Sequence, residues 1–124
     1  MNELNVGSLE ACQRLYRAGI VLETDFYWTW GGAQDCWYLI RKDEPRRFAV
    51  IPAPSMAEVW RELPTDIRKR GERWDLGVDK TGDGRTVIGY SLHTQPMIEF
   101  NNDNPTDALI EMLIWVEKEK ANER

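Results

Sequence analysis

The chain has 124 residues, 42% hydrophobic and 30% charged, the length and balance of one soluble globular domain spanning 1–124 and not of a disordered segment. Twenty-one acidic against sixteen basic residues leave a net charge of −5, so nucleic-acid binding by phosphate neutralisation starts at a disadvantage. Six of the thirteen aromatic rings are tryptophan, a surplus of large rings that has to be placed.

In chain order, Ser8 precedes an amphipathic stretch with Leu9, Cys12, Leu15 and Tyr16 on one face, which predicts a helix over 8–18 with Ser8 as N-cap and Gly19 as terminator. Ile20 to Leu22, Phe26 to Trp30 and Cys36 to Ile40 have β character, with a hairpin around Gly31-Gly32. Lys42 to Arg47 reads as a charged turn, and Phe48 to Ile51 as a short strand closed by Pro52 and Pro54. Ser55 and Glu58 have capping-box spacing, which opens a helix over 55–63 that Pro64 stops. Trp74, Leu76 and Val78 alternate with polar residues and predict a core-facing strand. It returns through the turn Thr81 to Gly84 as a strand over 86–92, and Pro96 to Phe100 suits a short edge strand. Asn104 caps a last helix with Pro105 in its first position. The order α-β-β-β-α-β-β-α implies an α+β two-layer sandwich, its sheet mainly antiparallel and its helices on one face.

Residues 1–13 show no basic segment followed by an apolar one, and the apolar run within 108–116 is broken by Glu111, so neither a secretory signal nor a membrane span is expected. Cys12 and Cys36 are too few for a disulfide framework, which favours a reduced, cytoplasmic setting, although one bridge between them stays open.

Three stretches carry a resemblance: Ser8-Leu9-Glu10-Ala11 running to Gly19, Ile51 to Trp60 leading to Leu63-Pro64, and Asn104 to Leu109 continuing into Met112 to Val116. In that order they resemble small uncharacterised proteins of bacteriophages, prophages and other mobile elements. The resemblance implies a genomic setting and assigns no catalytic or ligand residue.

Candidate chemistry is sparse. Asp79, Thr81, Asp83 and Gly84 mimic the start of a calcium loop, but Tyr90 stands where a bidentate Glu is needed, so a hairpin turn is the better reading. His93 is the single histidine; with Cys12 and Cys36 it offers neither zinc spacing nor more than a formal Cys–His dyad. Asn101 to Asn104 with Asp107 suit a hard cation in principle and a helix cap with fewer assumptions. Phosphate-cradling and nucleophile-elbow motifs do not occur, so no catalytic, cofactor or metal residue and no cofactor are assigned. Arg68, Lys69 and Arg70, with Arg61 and Arg73, form the one patch suited to an anion; beside Trp74 they raise a single-strand platform, against a plain solvated turn.

The aromatic surplus points elsewhere. Tyr27-Trp28 and Trp37-Tyr38 place rings on opposite sides of their strands, which marks Tyr27 and Tyr38 as interface candidates. On the last helix Ile110 and Ile114 lie off the main apolar face, to be covered by a neighbouring helix or by a second copy of the chain. The expected function is a non-enzymatic module that binds another protein or itself, without a membrane partner. A small hydrolase or transferase using sheet carboxylates is the alternative, and a single-stranded nucleic-acid binder a further one.

Overall fold

The structure, a computed structural model, describes residues 6–31, 36–44, 50–93 and 95–122. Helix α1 covers Leu9–Arg17; strands β1 Phe26–Gly31, β2 Cys36–Arg41 and β3 Val50–Pro52 precede helix α2, Met56–Glu62. Strands β4 Asp66–Lys69, β5 Glu72–Lys80, β6 Thr86–Leu92 and β7 Gln95–Asn102 then lead to helix α3, Pro105–Asn122. The class is the expected mixed α+β with antiparallel pairing, and the strands divide into two sheets, β2-β1-β3 and β4-β5-β6-β7.

Local chemistry sets the helix ends. The Ser8 hydroxyl accepts from Ala11 N at 3.2 Å, and Gly19 leaves α1 at φ +81°, a conformation that costs a glycine nothing. Ser55 and Glu58 form the full capping box: Glu58 N donates to Ser55 Oγ at 3.2 Å, and Ser55 N to Glu58 Oε1 at 2.8 Å. Asn104 Oδ1 accepts from Thr106 N at 2.9 Å and from Asp107 N at 3.3 Å, so the asparagine loop is a cap.

Helix α3 is the centre of the core. It packs on β6 and β7 and against both α1 and α2. Ala108, Leu109, Ile110, Met112, Leu113 and Val116 are all sealed from solvent, so a helix apolar nearly all round is covered by three sets of neighbours. Tyr90 is buried beneath it with its ring 6.4 Å from Trp115, and its hydroxyl donates to Pro64 O at 2.7 Å.

The segment 6–8 ties the layers together. Gly7 N donates to Pro54 O at 2.9 Å, Trp28 Nε1 donates to Gly7 O at 3.1 Å, and Ser8 N donates to the buried Asp107 carboxylate at 2.7 Å. Each bond pairs a group that burial would otherwise leave unsatisfied.

Several expectations change. The run around Arg68 is not a plain turn: Asp66–Lys69 pairs with β5 as a strand, and only Arg70-Gly71 makes the turn, both at positive φ. Residues 20–25 form no strand, although Ile20 and Leu22 pack on the core. Val78 is 39% exposed and not core, because α3 lies over β6 and β7 and leaves that end of β5 uncovered. The edge strand expected at 96–100 extends over the whole of β7. Trp28 is buried, Trp30, Trp37, Trp74 and Trp115 are half-buried, and Trp60 is exposed one turn from exposed Met56 on α2. Gly32, Pro45 to Arg47 and Phe48 lie outside the described residues.

Candidate functional site

Helices α1 and α3 run alongside in the same direction. Ser8 meets Asp107 at their starts, and further along Arg14 pairs with Glu111 at 3.6 Å. The two helices differ in length, nine residues against eighteen, about 14 Å against about 27 Å of helix. Past Ala18, therefore, α3 continues without its neighbour. Beside the second half of α1 lies a groove of about 670 Å³ between α1, α3 and β7.

Its walls follow from helical spacing. Arg14 and Arg17 are three residues apart on α1, and Glu111, Ile114 and Lys118 form one stripe on α3. Phe100 of β7, Ile114 and Trp115 give the groove apolar surface, while Arg14, Arg17 and Lys118 set cations along it. Glu111 neutralises Arg14; among the described residues Arg17 and Lys118 make no ion pair. In a protein of net charge −5 this groove is locally cationic over an apolar floor. Its volume lies within the range of ordinary ligand clefts.

The residues expected to carry an interface are not brought together. Ile110 is 0% exposed, beneath α1 and Gly7, so the expectation that it forms a self-association surface is corrected: the neighbouring helix covers it. Ile114 is half-buried and lines the groove. Tyr27 and Tyr38 belong to the small sheet, Tyr27 half-buried and Tyr38 40% exposed. The anion patch is dispersed as well. Lys69 is paired with Glu119 of α3, Arg73 bonds Asp75 at 2.9 Å, and Arg68 stands exposed with Arg70 in the turn. What remains there is the exposed pair Arg68 and Arg70, without an ion pair among the described residues, beside two cations already engaged.

The other candidates resolve into structure. Cys12 is buried and Cys36 exposed, both as free thiols, while His93 sits in the exposed β6–β7 turn. Burial pushes the Cys12 thiol up to about 12, and the Asp107 carboxylate adds to the rise against a hydrogen bond from Trp28. That is the opposite of an activated nucleophile. Thr81 to Arg85 closes a hairpin, Thr81 N donating to Arg85 O at 2.9 Å; the Thr81 hydroxyl donates to Asp83 and holds that carboxyl below its usual range. No cluster of three potential metal ligands occurs among the described residues, and no helix there is long and apolar enough to cross a membrane.

Sequence reasoning found Ile114 and missed the rest of the groove. Arg14 and Arg17 fall on the polar side of the first helix and carry no signal of their own, and Phe100 reads as part of an edge strand. Comparison with protein-family models, with curated proteins and with solved structures finds no match to this chain.

Proposed function

We propose that the protein is a non-enzymatic binding module that takes an acidic, amphipathic segment of a partner protein into the groove between α1, α3 and β7. The observation that carries this reading is the pairing of an apolar floor, Phe100, Ile114 and Trp115, with Arg17 and Lys118, cations without an ion pair among the described residues. A helix laid in such a groove buries apolar side chains along its contact face and sets carboxylates against the rim. Glu111 within the groove, and the overall negative charge, count against a phosphate backbone as the occupant. The buried Cys12, held as a neutral thiol, and the acid-paired Lys69 and Arg73 supply no constellation for hydrolysis or group transfer among the described residues. The free thiols suit a reducing cytoplasm, and in a phage or mobile-element setting the partner would be a phage or host protein.

The test uses a designed peptide about four turns long, with Leu on one helical face and Glu along its flanks, and a control with Lys for Glu. The acidic peptide should bind with a change in tryptophan emission and weaken as salt rises. An Arg17→Glu, Lys118→Glu variant with unchanged circular dichroism should bind it at least about tenfold more weakly. Equal binding of both peptides, or none at low salt, refutes the reading; preference for a single-stranded oligonucleotide replaces it with nucleic-acid binding.

A further inference from the structure

The two sheets have four outer strands, and three of them carry devices that block pairing with another chain. Strand β3 is three residues long and ends in Pro52. Strand β4 is short and charged, with Asp66, Arg68 and Lys69. Strand β7 carries Pro96 and Glu99, and its register against β6 shifts at Tyr90/Ser91. Strand β2, Cys-Trp-Tyr-Leu-Ile-Arg, has no proline, no register shift against β1 and no charge before Arg41.

Which backbone groups β2 turns outward follows from one bond. Lys42 N donates to Asp25 O at 2.9 Å, so the residues of β2 that exchange hydrogen bonds with β1 are those in step with Lys42, namely Ile40, Tyr38 and Cys36. Trp37, Leu39 and Arg41 therefore point their N–H and C=O groups away from β1. Arg41 confirms the phase: its N–H donates to Glu44 Oε1 at 3.1 Å and its carbonyl accepts from Glu44 N at 3.1 Å. Glu44 thus closes that end. Among the described residues no strand takes up the outward groups of Trp37 and Leu39.

The geometry points to a second copy of the chain as the occupant, its β2 paired antiparallel with this one about a two-fold axis at Tyr38. The free groups are two residues apart and symmetric about Tyr38, so Trp37 of each copy meets Leu39 of the other and exchanges both hydrogen bonds with it. Tyr38 then faces its own counterpart in a non-hydrogen-bonded pair, where cross-strand rings pack closely. That packing accounts for a tyrosine left 40% exposed on an apolar strand. The closure at Glu44 excludes registers that use Arg41, and no β2 residue lines the α1–α3 groove, so the assembly stands apart from the proposed peptide site.

Sedimentation velocity of the wild type over rising concentration should show twice the monomer mass of 14.5 kDa. Leu39→Pro removes an outward N–H that β1 does not use, so it should stay folded by circular dichroism and sediment as a monomer. A Tyr38→Cys, Cys36→Ser protein should cross-link to a dimer under mild oxidation, and adding Leu39→Pro should abolish the cross-link. The groove variant Arg17→Glu, Lys118→Glu should dimerise as the wild type does, which separates failure of the peptide site from failure of this one. A wild type monomeric at high micromolar concentration overturns the pairing. So does a folded Leu39→Pro protein that still dimerises, or a dimer in which Cys at position 38 does not cross-link.

Discussion

Replacing Gly7 by Ala tests how the segment before α1 is locked to α3. A methyl built on Gly7 overlaps Ile110 Cδ1 outright and stands 2.9 Å from Cys12 Sγ, closer than real side-chain carbons approach sulfur. Neither neighbour has room to retreat, because Ile110 is 0% and Cys12 1% exposed. Overpacking of a filled core costs about 1–3 kcal/mol, and Gly7→Ala should lose that much in urea denaturation. Ile110→Val removes the overlapping Cδ1 atom and alone should cost about 0.5–1.5 kcal/mol. In the double variant the methyl occupies the space that Cδ1 vacated, so the loss should fall short of the sum by at least about 0.5 kcal/mol. Strictly additive losses, or a neutral Gly7→Ala, would refute the packing. An Ile110→Glu protein that folds normally would return that side chain to the surface.

Cys12 makes a prediction in pH. An ordinary thiol ionises near 9.0 and Cys12 near 12 in the fold, so its stabilising contribution is complete below pH 9. As pH rises from there, the unfolded chain loses a proton that the folded one keeps, and stability should fall by about 1.4 kcal/mol per pH unit. Cys12→Ala should flatten the fall between pH 9 and 10; above that, Tyr90, raised by burial and then by Asp66, adds a loss of the same sign. At pH 8 a thiol reagent should modify exposed Cys36 and spare Cys12 until denaturant is added. The α2 cap gives a second comparison. Ser55→Ala should cost about 1 kcal/mol, and Glu58→Ala more, since Glu58 Oε2 also accepts from Asp25 N at 3.1 Å; chemical denaturation that ranks Ser55→Ala as the larger loss would contradict this.

Features that depend on a few neighbouring residues can be read along the chain. The caps at Ser8, Ser55 with Glu58, and Asn104 act within one helical turn, and the alternation of β5 and β6 acts within one strand, so helix starts and paired strands were legible. The class follows from their order. What a helical wheel cannot supply is which neighbour lies on each side. Ile110 and Ile114 stand one turn apart, yet the first is sealed in the core and the second lines the groove. Val78 repeats the pattern of Leu76 and is exposed because α3 crosses other strands. Charge concealed β4, since a strand at a sheet edge tolerates Asp66, Arg68 and Lys69 that a central one would not. The groove joins Arg14, Phe100 and Trp115, and the open edge of β2 exists because β1 takes β3 on its other side. Both arise from contacts between segments far apart in the chain, where packing and strand order, not local propensity, decide the free energy.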